Sequence, residues 1–382
     1  MKKNVCLLAA ALLAAACQPS AQRTTIEGTL EGVESDTLLM RSVSYDAQGR
    51  RDASRLDTVP MQAGRFSISL PNDSTPTEVY LYAKPKGNLA MSMTVRPVTT
   101  LVFPGQTVTL SGSMDDCLVE GGDFHRAMNE IKEQTKPYTD RMNAVTATLN
   151  ERQKNGTLDE ATMDSLRGVY NEALDQVFGV HEAYVRQHPD DDLSVYLVSS
   201  MGQGKAKELM PLLTDRAKNG ALKGLGLAMQ KAIEETQARE KARAQVVEGA
   251  EAPDFTLKDL KGNDLALSSL RGKYVVLDFW GSWCGWCIKG IPDMKKYYTK
   301  YKDRMEILGI DCRDTEEAWK KAVEKHELPW LHVRNTDEAD VTVKYGIQGY
   351  PTKIVIDPQG KIAKVVVGED PAFYTYLDEL FK

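Results

Sequence analysis

Residues 280–290 read WGSWCGWCIKG, in which Cys284 and Cys287 are separated by Gly285 and Trp286 and follow directly on the apolar run YVVLDFW at 274–280. A continuous apolar run broken only by Asp278 is the mark of a strand buried on both faces. The stretch that follows, WCIKGIPDMKKYYTKY, reads as a helix. A dithiol at a strand-to-helix junction places its first sulfur beside unpaired backbone N–H groups and the positive end of the helix dipole. That setting lowers a thiol pKa, so Cys284 is the candidate nucleophile and Cys287, one turn on and facing inward, the candidate resolving thiol.

Working outward, MEILGID (305–311) and TKIVIDPQGKI (352–362) supply further strands, and TEEAWKKAVEKH (315–326) a helix. Strands alternating with helices predict an α/β sheet with covered faces over residues 246–382. Upstream the periodicity changes twice. Between residues 23 and 122 short alternating segments such as TTIEGTL, TLLMRSVS, GRFSISL, TEVYLYA and GQTVTLSGS, separated by turn residues, predict an antiparallel β-sandwich-like domain. From 123 to 245 apolar residues recur at three- and four-residue steps among many charges, which predicts a helical spacer. His125, His181 and His188 show no ligand spacing there.

The chain has 382 residues, too many for one ordinary core. A 42 % hydrophobic and 27 % charged composition fits folded material, and a net charge of -6 excludes the basic footprint of a nucleic-acid binder. At the start, Lys2 and Lys3 precede an apolar stretch, Val5 to Ala16, too short to span a bilayer and laid out like a secretory signal. Its end, LLAAAC, resembles the lipobox of bacterial lipoproteins, which implies a signal over 1–17, lipidation at Cys17 and a membrane-anchored, periplasm-facing place in the cell envelope. With Cys6 removed and Cys17 acylated, four of six cysteines remain: Cys117, Cys284, Cys287 and Cys312. Cys117 and Cys312 stand alone and read as buried apolar side chains. A zinc site lacks a second ligand pair.

LDFWGSWCGWC together with GYPT (349–352) resembles the active-site segment and facing cis-proline loop of thioredoxin, and APDFTL (252–257) brings the likeness closest to envelope reductases of the TlpA/ResA type. The resemblance covers residues 248–382 and implies a thioredoxin-like fold. The preceding regions are similar to those found before such domains in some Gram-negative lipoproteins. It implies dithiol–disulfide exchange at Cys284 and Cys287 with Asp278 as the buried proton acceptor, and no cofactor beyond that redox-active disulfide. Pro351 in cis would expose the backbone of Tyr350, so that Trp283, Gly285, Trp286, Tyr350 and Pro351 form the substrate-facing surface. Trp286 stands where thioredoxin has proline and restores an N–H that could reach the Cys284 thiolate. A lysine that such proteins place opposite the acid is sought on the next strand, where the matching position holds Ile307; Gly290 stands where some relatives carry an acid. A peroxiredoxin motif is absent, its proline and threonine places holding Leu277 and Gly281. The implied activity is protein-disulfide reduction, the alternatives being an oxidase or isomerase of the same fold or a partner-binding scaffold. The implied partners are disulfide-containing envelope proteins and a membrane electron carrier.

Overall fold

The computed structural model describes residues 23–52, 55–70, 74–83, 97–336 and 339–382; Cys17 and the residues around it lie outside them. The chain divides into two compact units, one ending at Lys231 and the other beginning at Ala232.

In the first unit eight strands, β1 (Thr24–Glu31), β2 (Thr37–Ser44), β3 (Arg55–Pro60), β4 (Arg65–Leu70), β5 (Thr77–Ala83), β6 (Val98–Val102), β7 (Thr107–Ser113) and β8 (Cys117–Glu120), form two four-stranded sheets of order β4-β1-β7-β8 and β3-β2-β5-β6. Side chains alternate across a strand, so RFSISL in β4 buries Phe66, Ile68 and Leu70 and exposes the residues between them. The inward positions of both sheets, Ile26, Leu38, Val79, Leu81, Val108 and Leu110 among them, make one apolar core. The sandwich is antiparallel except at one place: β1 runs parallel to β7, with Thr25 opposite Thr107. Alternation announces a strand but not the direction of its partner, and parallel neighbours need the long connection that β2–β6 supply.

Helices α1 (Asp123–Lys154), α2 (Glu160–Gln187), α3 (Asp192–Ser200), α4 (Gly202–Leu209) and α5 (Asp215–Lys218) belong to the same unit as the sheets. Asp159 caps α2 by accepting from the Thr162 N–H, and α1 and α2 pack through Met142, Ala173 and Val177. The division between units falls inside α6 (Lys223–Gln245).

The second unit holds a seven-stranded sheet. Its strands are β9 (Thr256–Asp259), β10 (Asp264–Ala266), β11 (Tyr274–Trp280), β12 (Met305–Asp311), β13 (Leu331–Arg334), β14 (Thr352–Ile356) and β15 (Ile362–Val367), in the order β10-β9-β13-β12-β11-β14-β15. β11, β12 and β13 are parallel; β14, β15, β9 and β10 join antiparallel. Residues 275–280 of β11 are all buried, as a strand covered on both faces requires. On one face Leu277, Phe279, Leu308 and Ile310 pack with Val341 and Tyr345 of and beside α9 (Val341–Lys344). On the other, Val276, Trp280 and Val355 meet α7 (Gly285–Tyr301), α8 (Glu316–Lys325) and α10 (Pro371–Leu380) through Met294, Trp319 and Phe373. No helix among the described residues is long and apolar enough to cross a membrane.

Candidate active site

The dithiol lies where β11 hands over to α7. Cys284 is the N-cap of α7, and its Sγ accepts the backbone N–H of Cys287 at 3.2 Å. An N-cap side chain meets the N–H groups two or three residues on; here the third, that of Cys287, makes the contact rather than that of Trp286. The two sulfurs form a disulfide, with the Cα atoms 5.2 Å apart, and both cysteines are buried in the core cluster under α7. The loop before the cap is held at three points. Asp314 accepts from Ser282 N–H and Oγ at 2.7 and 2.8 Å, and the Trp283 indole donates to Cys312 O at 2.9 Å. Inside α7, Pro292 lacks the N–H that the helix ladder would use.

The Tyr350–Pro351 peptide is cis. The Tyr350 ring stands edge-on to Trp283, centroids 5.2 Å apart, and the Arg313 guanidinium lies 5.8 and 5.5 Å from the two rings. Trp286 is 62 % exposed with Lys289 Nζ 4.7 Å from its ring, and Gly285 is exposed beside it. The rim is therefore aromatic with two flanking cations, suited to apolar polypeptide. Of the residues named from the sequence as substrate-facing, Trp283, Gly285 and Trp286 are exposed and Tyr350 is half-buried, while Pro351 is buried.

Beneath the dithiol the structure corrects one expectation. On β12 the neighbour of Asp278 is Gly309, while Ile307 faces Val276; the lysine comes from the other side, where Lys353 of β14 is in register with Asp278. Lys353 is 2 % exposed, its Nζ 4.0 Å from Asp278 Oδ1 and 2.8 Å from Glu369 Oε2. Asp278 Oδ1 has no hydrogen-bond partner among the described residues. Burial raises the Asp278 pKa above the usual carboxylate range; Lys353 opposes the rise and Glu369 adds to it. A lysine within the apolar run TKIVI was the visible sign of this partner, and nothing local marked Glu369, in the connection between β15 and α10, as belonging to the site.

Among the described residues, the second unit holds one further buried acid and one free thiol, and the sandwich of the first unit holds the other free thiol. Asp311, at the end of β12, is fully buried; burial first, and the Asp314 carboxylate next, push its pKa up to about 9. Cys117 and Cys312 are free and buried, and burial raises both thiols. Among the described residues no group of three His, Cys, Asp or Glu side chains is placed to hold a metal ion.

Residues 249–365 match the sequence profile of the AhpC/TSA family. The thiol-disulfide oxidoreductase ResA of Bacillus cereus is 38 % identical over 122 residues, 70 % of that protein and 32 % of this chain. ResA of Bacillus subtilis is 35 % identical over 127 residues, 70 % of that protein and 33 % of this chain. The crystallised thioredoxin domain of a thiol-disulfide oxidoreductase from Bacteroides vulgatus is 36 % identical, with 99 % of that chain and 36 % of this one covered and a TM-score of 0.34.

Proposed function

This chain belongs to the family of thiol-disulfide oxidoreductases that includes ResA, and from that premise we propose that it is a protein-disulfide reductase of the cell envelope, lipid-anchored through Cys17 and facing the periplasm. The observation that carries the reading is that Cys284 is at once the cap of α7 and the disulfide partner of Cys287. In the reduced protein the helix N-terminus favours thiolate at 284. That thiolate attacks a substrate disulfide, joins one substrate sulfur and expels the other as a thiolate. Cys287 then gives its proton to Asp278 and attacks Cys284 Sγ, which releases the second substrate sulfur and closes the 284–287 disulfide. Two electrons pass from protein to substrate, and a membrane electron carrier returns them to the dithiol.

Asp278 suits its role because it lies on the sheet face that carries the dithiol, and because burial without a full hydrogen-bond set favours its neutral form. The aromatic rim would offer an extended substrate segment apolar contact, and the Tyr350 backbone at the cis peptide strand-like pairing. The lipobox-like LLAAAC supports the anchor.

The test is turnover. The reduced protein should precipitate insulin by cleaving its interchain disulfides, and Cys284→Ser should bring the rate down to background. Cys287→Ala should accumulate mixed disulfides with periplasmic proteins in envelope extracts. Insulin reduction by Cys284→Ser at the wild-type rate would remove the assignment.

A further inference from the structure

Asp278 and Lys353 are buried, and Glu369, half-buried, joins them to make a set of one cation and two acids on the sheet face that α7 covers. The distances are unequal. Lys353 Nζ is hydrogen-bonded to Glu369 at 2.8 Å but stands 4.0 Å from Asp278, beyond hydrogen-bond range. Glu369 is held from a second side by the Tyr374 hydroxyl, which donates to Oε1 at 2.6 Å. Its position depends on an absence in α7: a Cβ built on Gly290, one turn beyond Cys287, would collide with the Glu369 carboxyl. The connection after β15 thus delivers an acid into the space that a helix side chain would otherwise fill.

A lysine paired with Asp278 alone would hold that acid as a carboxylate and make it a poor proton acceptor. Glu369 takes up the lysine charge first, and its own negative charge discourages a second one at Asp278. We propose that Glu369, seated in the gap at Gly290, is a positioning residue that keeps Asp278 able to take and return the proton of Cys287, with Lys353 as the cation the two acids share. The proposal rests on the disulfide-reductase reading for the use to which that proton is put, but the electrostatic link itself does not. Among the described residues, further ionisable groups on this side of the sheet include Tyr374 of α10, which also feels Asp293 of α7, Tyr297, Tyr298 and Tyr301 of α7, and, across Gly309, His332 of β13, whose pKa burial lowers to about 4 so that it is neutral at pH 7; Asp311 lies two residues further along β12. None of these lies between Lys353 and either acid in the way that would replace Glu369.

The experiment follows the carboxyl carbon of Asp278 by NMR titration of the oxidised full chain, with its side-chain carboxyls labelled, alongside the pH profile of insulin reduction. Glu369→Gln should move the Asp278 midpoint to lower pH by about one unit, and Lys353→Met should move it to higher pH by a similar amount. Gly290→Ala, which displaces the Glu369 carboxyl without removing it, should move it in the same direction as Glu369→Gln and by less. The acid limb of the turnover profile should follow each shift. Glu369→Gln and Gly290→Ala serve if Lys353→Met fails to fold. An unmoved Asp278 midpoint in Glu369→Gln, or one that moves upward, overturns the proposal while leaving the reductase assignment standing. Opposed shifts in the midpoint of a protein inert towards insulin would confirm the link and remove the function instead.

Discussion

Cys117 in the sandwich and Cys284 at the head of α7 are buried to nearly the same degree, 7 % and 6 % exposed, yet their surroundings give them opposite chemistry. Cys117 opens β8 in the core that holds Leu110, Ile26 and Val108, and its thiol, 3.6 Å from the Leu118 carbonyl, is pushed up by burial against the opposing pull of Lys132. Cys284 caps a helix of 17 residues and faces a backbone donor. Burial alone stabilises the neutral thiol; equal burial at a helix N-terminus, among oriented N–H groups, stabilises the thiolate. The largest predicted effect exposes that difference. After reduction, Cys284 should react with iodoacetamide at pH 6.5 more than about a thousandfold faster than Cys117. Peptide mapping of the alkylated sites measures both rates in one sample, and equal rates would mean that α7 does nothing for its cap.

The same contrast holds for buried polar groups. Among the described residues the first unit buries hydroxyls and one imidazole, those of Thr24, Ser44, Thr100, Thr135, Ser194 and His125, whereas the second buries, besides Thr342 and Thr352, the ionisable Asp278, Asp311, His332 and Lys353. Buried ionisable groups are poor sources of stability and cluster where pKa values are being set. Asp311 makes the cost measurable. With its pKa raised from 3.8 to about 9 in the fold, it keeps a proton that the unfolded chain has lost throughout that window, so its contribution to stability falls as pH rises. Asp311→Asn should therefore gain on the wild type by about 1.4 kcal/mol for each pH unit between 5 and 8. All five tryptophans lie between residues 280 and 330, so denaturant melts followed by their fluorescence report on the second unit alone. A difference between the two proteins that does not change with pH would break the comparison.

What could be read without coordinates was whatever is local. The apolar run of β11, the Cys-Gly-Trp-Cys junction, the proline at 351 and the alternation of β1–β8 are each contained in a few consecutive residues. The partners of Asp278 are not. Lys353 reaches it through the antiparallel register of β14, and Glu369 through a loop that occupies the space left by Gly290, so both depend on pairings fixed only when the sheet closes. A parallel neighbour on β12 is the natural companion for an acid on β11, but there Asp278 faces Gly309 and Ile307 faces Val276, and the lysine comes from β14. The parallel pairing of β1 with β7 escaped for the same reason: alternation carries no record of direction. Gly290 read as the loss of an acid, whereas the fold brings one to that place from elsewhere.

The smallest effect concerns exposed apolar side chains, which both units possess. Leu56 and Leu118 in the sandwich are 58 % and 46 % exposed, comparable to Trp286 and Trp283. Scattered apolar exposure is ordinary on a protein surface. The two tryptophans differ in flanking the disulfide and in having cations, Lys289 and Arg313, against their rings. If the rim docks polypeptide, covering part of the Trp286 face should contribute about 1 kcal/mol to binding. Trp286→Ala should then raise the half-saturating insulin concentration roughly fivefold, by that same energy, and leave the rate on a small soluble disulfide unchanged, because such a substrate has no chain to lay across the ring. Leu56→Ala should alter neither. Equal slowing of both substrates by Trp286→Ala would place the indole's influence on the sulfurs themselves, and an effect from Leu56→Ala would show that exposure, rather than position beside the dithiol, governs docking.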